Sequence, residues 1–122
     1  MNLYRQEIIE RSRFPRYRQD IKNADAQGEV LNELCGDELT LFFVFDPQKM
    51  RAEKVTFMGE GCALMVAAAD MLCERLTGMS VKELLTFSAN DMLALYGQMP
   101  SPSRLKCVLL PFEALKKACM GL

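Results

Sequence analysis

The sequence contains no histidine, and its 15 basic and 16 acidic residues leave a formal net charge of −1. So small a net charge gives no general attraction to nucleic acid or to an anionic membrane. No segment approaches the roughly 20 consecutive apolar residues of a membrane-spanning helix. The first residues also lack the basic-then-apolar order of a signal peptide. We therefore expect a cytoplasmic protein with neither a membrane nor a nucleic acid as its partner.

Although the net charge is close to zero, one stretch of the sequence carries a local excess of positive charge. No recognised nucleic-acid motif surrounds it, so a solvated surface or a protein-docking edge is the preferred interpretation over RNA or DNA binding. The stretch consists of Arg11, Arg13, Arg16 and Arg18, interleaved with Phe14 and Tyr17.

The size and composition indicate one soluble globular domain. With 122 residues, of which 50% are hydrophobic and 25% charged, the chain can bury one real core but not two. We find no internal repeat and no low-complexity segment. The prediction is therefore a single domain covering residues 1–122.

The five cysteines form no CxxC pair, which excludes the most recognisable metal-binding spacing. Their odd number does not fit a complete disulfide framework and is typical of reduced thiols in a reducing compartment. In such a compartment, repeated cysteines more often serve metal binding or catalysis than cross-linking.

The pattern of apolar residues and turn signals predicts an α+β fold, a small three-stranded antiparallel sheet packed against about four to five helices. The apolar run at 38–45 predicts a strand buried on both faces. Gly59 is expected to end the following strand, at 50–58. Pro111 is expected to be tolerated only near the first turn of the last helix. Strands are predicted at 27–31, 38–45 and 50–58, and helices at 2–12, 62–77, 81–87, 92–96 and 105–118.

Three cysteines fall where one predicted element gives way to the next. Cys35 precedes a strand, while Cys62 and Cys107 stand at predicted helix starts, where the helix dipole and free N–H groups favour a thiolate. Asp37 follows Cys35 by two residues and offers an oxygen ligand. Three thiolates and one carboxylate complete a tetrahedral metal site.

These residues resemble the scaffold proteins of the IscU/SufU family, also found as the N-terminal domain of NifU, over nearly the whole chain. Cys35-Gly36-Asp37 matches the family's Cys-Gly-Asp signature, and 59–63 matches its Gly-x-Gly-Cys-Ala turn. Residues 104–107 and 112–115 resemble the third cysteine and its helix. The opening resembles the family's first helix and its Asn-Pro-Arg segment, with Phe14 in place of the asparagine.

The resemblance implies an iron-sulfur cluster assembly scaffold and sulfur acceptor rather than an enzyme with turnover of its own. It implies a pyridoxal-phosphate-dependent cysteine desulfurase as sulfur donor and apoproteins as recipients. Cys35, Cys62 and Cys107 are implied as ligands of a labile cluster, [2Fe-2S] by expectation, or of zinc. Asp37 is implied as a zinc ligand or as the residue that keeps the cluster labile, and Cys107 as the sulfur acceptor.

Two departures from the family pattern leave an alternative open. Lys106 stands where the IscU branch has histidine, which is the SufU pattern and favours a zinc-dependent sulfurtransferase that accepts persulfide sulfur on Cys107. The 45-residue separation of Cys62 and Cys107 has the short IscU length and favours the scaffold. We also expect Lys106 to modulate Cys107 by lowering its thiol pKa.

Residues 99–104, Cys73 and Cys119 are not expected to take part in the function. Residues 99–104 do not match the motif that an Hsp70-type chaperone reads in IscU, so this partnership is doubtful. Cys73 is expected in the core and Cys119 to be incidental near the C-terminus. A purely structural zinc module is the least favoured hypothesis, because an aspartate is a poor permanent ligand beside cysteines.

Overall fold

The computed structural model describes residues 3–34 and 36–122, with the side chains of Leu3 and Tyr4 excepted. It has the α+β architecture that the sequence predicts, with three strands followed by four helices and one helix before them. The elements are α1 (Leu3–Arg13), β1 (Ala26–Asn32), β2 (Asp37–Phe45), β3 (Ala52–Glu60), α2 (Ala63–Leu76), α3 (Val81–Thr86), α4 (Ala89–Tyr96) and α5 (Pro102–Cys119).

The sheet is antiparallel with β2 in the middle, in the order β1-β2-β3. Alternate residues of β2 point at the helices, and Leu39, Leu41 and Phe43 are almost fully buried there. Phe42 points the other way and is also buried, at 7% exposure, beside a segment before β1 whose Gln19 carbonyl accepts a hydrogen bond from Thr56 on β3. The predicted burial of β2 on both faces is confirmed in part, because Thr40 and Val44 on this second face are half-buried and Glu38 is exposed.

Helices α2 and α5 cover the face of the sheet that carries Leu39, Leu41 and Phe43. Helix α5 lies so close to β1 that a methyl group at Gly28 would stand 2.0 Å from the carbonyl oxygen of Ala114. Only glycine permits this approach. The position of α5 depends on this contact with β1. The positions of the side chains that α5 directs towards the sheet edge therefore depend on it as well.

Helix α3 begins at Val81 as predicted, whereas α4 begins at Ala89, three residues before its predicted start at 92. Ser80 and Glu83 form a capping box at α3, and Ser88 and Asp91 form another at α4. Each box satisfies backbone N–H groups that the first helical turn leaves without partners. Gly97 ends α4 in the left-handed conformation, with φ at 84°.

The last helix corrects two expectations. It begins at Pro102 rather than near Leu105, so Cys107 is not at its N-terminus, and Pro111 lies in its interior rather than in the first turn. Pro102 is well suited to a helix start, because its missing N–H is not needed there. Pro111 cannot donate to the carbonyl four residues before it, that of Cys107, so the helix lacks one backbone hydrogen bond at Cys107.

Strand β3 is displaced by two residues from its predicted range. It runs from Ala52 to Glu60, so Gly59 does not end the strand but pairs with Leu39 of β2. The turn between β2 and β3 includes Met50 and Arg51, because Asp46 accepts hydrogen bonds from the backbone N–H groups of both residues. Because of this turn, β3 begins two residues later than predicted.

Helix α1 is fixed to α2 by a buried ion pair. Asp70, with 0% exposure, accepts a hydrogen bond from Arg11 Nη1 at 2.7 Å and another from the backbone N–H of Tyr17 at 2.8 Å. Arg11 also pairs with Glu74 on the next turn of α2. Arg11 is therefore not part of a free basic surface as the sequence indicated, whereas Arg13 and Arg16 are exposed.

None of the helices in the described part of the chain has both the length and the apolar content that crossing a membrane would require.

Candidate metal centre

Asp37 is the first residue of β2 and is 2% exposed. Its carboxylate faces the turn after β3, because Asp37 and Gly61 lie at the same end of the sheet. A methyl group at residue 61 would stand 2.6 Å from Asp37 Oδ1 and 2.6 Å from the Met65 methyl carbon. The second glycine of the Gly-x-Gly-Cys turn thus makes the space that the buried carboxylate occupies.

Cys62 is the N-cap residue of α2, as the sequence predicts, but its own side chain makes no capping hydrogen bond. The backbone N–H of Cys62 donates instead to Asp37 Oδ1 at 3.1 Å. The Cys62 thiol is partly exposed and its Sγ stands 3.9 Å from Asp37 Oδ2. The thiol is left free of capping and faces the carboxylate.

Cys107 reaches the same place from the interior of α5 and is 4% exposed. The ligand atoms of Asp37, Cys62 and Cys107 all lie within 4.8 Å of one another. Two cysteines that are 45 residues apart in the sequence therefore meet at one carboxylate. This is the convergence on which the metal hypothesis depends.

The three donors fit a tetrahedral ion. Zinc–sulfur bonds of about 2.3 Å place two sulfurs roughly 3.8 Å apart around a tetrahedral ion. Ligand atoms that lie within 4.8 Å of one another are therefore close to the spacing that such an ion requires. Thiolates suit zinc and iron in iron-sulfur clusters, and a carboxylate oxygen is a ligand of zinc. The fourth position remains for a further ligand.

The electrostatics of the trio favour a cation. Burial, Cys62 and Asp37 together raise the pKa of the Cys107 thiol to about 12. Burial is the largest contribution, and the two neighbours oppose a further negative charge. A divalent ion would remove this repulsion and allow the thiols to bind as thiolates.

The modulating role expected for Lys106 remains a prediction. Lys106 is exposed beside Cys107, and the groups that set the thiol's pKa are its burial, Cys62 and Asp37. The net shift is upward rather than downward, because Cys107 points into the protein while its neighbour on the helix points into water.

Cys35 lies outside the described residues, so its predicted place at the site remains a prediction. Of the remaining cysteines, Cys73 is 0% exposed in the core, as expected, and burial raises its pKa well above the usual range. Cys119 packs half-buried against the core near Leu84. Both are outside the trio of Asp37, Cys62 and Cys107.

Tyr96 is a buried ionisable residue that the sequence analysis did not consider. It is the last residue of α4, and its side chain is 3% exposed. Burial raises the pKa of its phenol, and both Cys62 and Cys107 raise it further. The only signal in the sequence was its place before Gly97 at a helix end, which predicts a helix stop rather than a functional residue.

Comparison with known proteins supports a common origin for this arrangement. A protein-family model described as the NifU-like N terminal domain matches residues 3–121. The zinc-dependent sulfurtransferase SufU of Bacillus subtilis is 29% identical over 94% of this chain and 88% of its own length. The iron-sulfur cluster assembly scaffold protein IscU 1 of Archaeoglobus fulgidus is 28% identical over 95% of this chain and 74% of its own length.

A solved structure agrees with the fold. The crystal structure of a putative iron-sulfur cluster assembly scaffold protein for the SUF system, from Fervidobacterium islandicum AW-1, superposes with a TM-score of 0.76. It is 29% identical in sequence, and the match covers 93% of this chain and 94% of that one. The expected resemblance is therefore confirmed in both sequence and structure.

Proposed function

The chain belongs to the family of NifU-like N-terminal domains, which includes the IscU and SufU proteins, and from this we propose that it is an iron-sulfur cluster assembly scaffold. It receives sulfur from a donor protein, combines it with iron in a labile cluster, and passes the cluster to recipient apoproteins.

The observation that carries this proposal is the meeting of Asp37, Cys62 and Cys107 within 4.8 Å. Thiolates are soft ligands that hold cluster iron well, and a carboxylate oxygen is a harder and weaker ligand for it. A site that must release its cargo gains from one weak ligand. An all-thiolate site would favour permanent retention instead.

We propose Cys35 as the third thiolate of the site, on the strength of the Cys-Gly-Asp signature and its place two residues before Asp37. The set of Cys35, Asp37, Cys62 and Cys107 would then hold zinc tetrahedrally, or a cluster of the [2Fe-2S] type as cargo. When bound, zinc supplies a positive charge that keeps the thiols deprotonated.

Cys107 is the proposed sulfur acceptor. Its thiolate attacks the terminal sulfur of a persulfide on the donor, forming a Cys107 persulfide and releasing the donor's thiolate. The thiol proton passes to solvent when the thiolate forms. The raised pKa of Cys107 in the metal-free protein means that this step requires a compensating positive charge near the sulfur.

A cysteine desulfurase that uses pyridoxal phosphate is the proposed donor, and the cytoplasm the proposed location. Arg13 and Arg16 are exposed and form a basic edge suited to an acidic surface of such a partner. Arg18 is less available, because its Nη2 donates to the Gly59 carbonyl at 2.8 Å.

The second candidate is a zinc-dependent sulfurtransferase. It is favoured by the similarity to the Bacillus subtilis SufU and by Lys106, which occupies the position of the IscU histidine. In this function zinc stays at the site and sulfur leaves on Cys107 without a cluster being built.

One experiment separates the two functions. The purified protein is incubated anaerobically with ferrous iron, cysteine and a cysteine desulfurase, with zinc content and visible absorption followed together. A cluster chromophore that transfers to an apo-ferredoxin supports the scaffold. Stimulated desulfurase turnover with zinc retained and no chromophore supports the sulfurtransferase and contradicts the scaffold.

Two variants test the assignment of the acceptor. Cys107→Ser should abolish both cluster formation and stimulated turnover, because it removes the attacking sulfur. Cys119→Ser, which removes a thiol elsewhere on the same helix, should leave both unchanged. Activity retained in Cys107→Ser would remove Cys107 from its assigned role.

Charge reversal tests the partner surface. A variant with Arg13→Glu and Arg16→Glu should bind the desulfurase more weakly, with a larger loss at low salt than at high salt. Lys82→Glu on α3 is a matched control with an exposed cation on another element. Unchanged affinity in the double variant would remove the basic edge from the interface.

A further inference from the structure

The proposed sulfur acceptor is buried, whereas the exchange assigned to it requires access. Cys107 is 4% exposed and lies in the interior of α5. In such an exchange the attacking sulfur must approach the donor's terminal sulfur directly, so the rate depends on access. A part of the protein must therefore move before sulfur can reach Cys107.

The residues of α5 before Cys107 are held by little burial. Residues 102–104 and Lys106 are exposed and Leu105 is half-buried, so that burial along this helix begins at Cys107. Short helical segments are marginally stable unless an apolar face packs against the rest of the protein. The first turns of α5 can therefore detach with little loss of buried apolar surface.

The start of α5 also lacks the cap that α3 and α4 have. Its N-cap residue is Ser101, whose side chain makes no capping hydrogen bond and instead shares one with the Ser103 hydroxyl. In α3 and α4 the third helical residue is acidic and completes a capping box, whereas α5 has Arg104 at that position. An arginine there accepts no hydrogen bond from the N-cap N–H, and its charge opposes the helix dipole.

A proline weakens the same segment from its other end. The Cys107 carbonyl would accept a hydrogen bond from an N–H at position 111, which Pro111 does not have. Residues 102–107 are therefore joined to the rest of α5 by one hydrogen bond fewer than in a regular helix. Beyond the proline the helix is fixed to β1, because a methyl group at Gly28 would stand 2.0 Å from the Ala114 carbonyl oxygen.

We propose that residues 102–107, the opening segment of α5, unwind locally while the helix beyond Pro111 stays in place, and that this motion presents the Cys107 sulfur to the donor. The inference rests on the proposed function, because it requires Cys107 to be the sulfur acceptor. Pro111 and the uncapped helix start make this segment easier to open than the rest of α5. Local opening of this kind needs less free energy than unfolding of the whole domain.

The first test changes a surface residue and measures opening by hydrogen exchange, followed by NMR on the metal-free protein. Arg104→Glu completes a capping box with Ser101, and Arg104→Ala at the same position does not. The amides of residues 106–110, which lose their acceptors when the segment opens, should exchange about 2- to 10-fold more slowly in Arg104→Glu than in Arg104→Ala, the effect of one added hydrogen bond. The amides of residues 112–118 should exchange alike in both.

The second test restores the missing hydrogen bond. Pro111→Ala supplies the N–H that the Cys107 carbonyl lacks, so the amides of residues 106–110 should exchange more slowly relative to those of 112–118. Pro102→Ala is the matched control, because it removes a proline from the first turn, where no backbone N–H is needed, and it should not slow this exchange. Thermal melts establish that the variants are folded, and the Arg104 pair decides if Pro111→Ala is not.

Sulfur transfer connects the motion with the function. A cysteine desulfurase that carries a persulfide is mixed with each Arg104 variant for a single turnover, and the persulfide on Cys107 is followed by mass spectrometry. At saturating donor, the rate of transfer to Arg104→Glu should be lower than to Arg104→Ala by the factor by which hydrogen exchange is slowed. Zinc affinity should be no lower in Arg104→Glu than in Arg104→Ala, since the ligands are unchanged.

The outcomes separate this inference from the proposed function. Equal exchange of residues 106–110 in the two Arg104 variants, or transfer rates that do not follow exchange, would overturn the inference and leave the proposed function standing. A wild-type protein that takes no sulfur on Cys107 would overturn both the inference and the acceptor role.

Discussion

Asp37 caps the helix whose N-cap residue is Cys62. Its Oδ1 accepts the Cys62 backbone N–H at 3.1 Å, while its Oδ2 lies 3.9 Å from the Cys62 sulfur. One oxygen thus accepts the N–H of the N-cap residue, as the N3 side chain does in a capping box, and the other stays available to a metal. The same carboxylate contributes to the fold and to the site, and these contributions can be separated by mutation.

The first prediction compares Asp37→Asn with Asp37→Ala. Asparagine retains an oxygen acceptor for the Cys62 N–H, whereas alanine leaves that N–H without a partner, at a cost of about 1–3 kcal/mol. Both variants lose the anionic ligand and should bind zinc more weakly than the wild type. Only Asp37→Ala should also lose stability in chemical denaturation of the metal-free protein. Equal losses of stability in the two variants would contradict the capping role.

The second prediction concerns the space beside that carboxylate. Gly61→Ala places a methyl group 2.6 Å from Asp37 Oδ1 and from the Met65 methyl carbon, so the carboxylate must shift. We expect weaker zinc binding and a loss of stability of about 1–3 kcal/mol, as for other overpacked positions. Gly121→Ala is the control, because a methyl group there meets no atom within 4 Å. Chelator competition with wild-type affinity in Gly61→Ala would show that the carboxylate does not need this space.

The third prediction follows from the raised pKa of Cys107, about 12 in the metal-free protein. Alkylation of Cys107 by iodoacetamide should increase about tenfold per pH unit from pH 7 to beyond pH 10, because the reactive thiolate is still the minor form. The unfolded chain should level off near pH 9, the usual value for the thiol. Mass spectrometry of the tryptic peptide 107–116, which holds a single cysteine, gives the rate. A plateau near pH 9 in the folded protein would contradict the shift.

The same pKa fixes the sign of a stability change. The folded protein holds the Cys107 proton more tightly than the unfolded chain, so the unfolded chain ionises first as the pH rises. Metal-free protein should therefore lose stability above about pH 9, over the interval up to the folded pKa of about 12. In Cys107→Ser this alkaline loss should be smaller, because the shifted group is gone. Denaturant midpoints measured against pH provide the comparison.

The fourth prediction concerns the ion pair between α1 and α2. Asp70→Ala leaves Arg11 without its buried partner and the Tyr17 N–H without its acceptor, so we expect a loss of about 3–5 kcal/mol. Glu74→Ala removes the more exposed partner of Arg11 and should cost less than about 1 kcal/mol. Hydrogen exchange of α1 should accelerate in Asp70→Ala, and exchange as slow as in Glu74→Ala would show that other contacts fix the helix.

Local signals predicted the strands and most of the helix starts. The start of α3 after Ser80 was correct, because its capping box with Glu83 requires only residues within one turn, whereas α4 begins three residues earlier than predicted. The start of β3 and that of α5 were wrong for a related reason. Asp46 accepts backbone hydrogen bonds as far as Arg51, and Pro102 serves as a first helical residue. In a sequence, aspartate predicts only a turn and proline only a break. How far the turn extends and whether the proline begins a helix depend on the position of each residue in the structure.

For the candidate site too, local signals in the sequence placed some residues correctly and others not. Cys62 at a helix start and Asp37 at the start of a strand could be placed from sequence, because glycines and turn residues mark those junctions. Cys107 could be named but was placed at the wrong point of its helix, and the net upward shift of its pKa was not predicted. The pKa of a thiol depends on burial and on neighbours brought from distant segments, which no local pattern contains.

The amino-acid sequence alone determined the α+β class, the signatures of the family and the residues to be considered as metal ligands. Only the tertiary structure decided that the carboxylate of Asp37 meets the sulfurs of Cys62 and Cys107 and that Asp70 holds α1 in place. The reason is physical. Secondary structure follows from short-range periodicity and capping, whereas the geometry of a site follows from packing between elements whose distance in sequence has no relation to their distance in space.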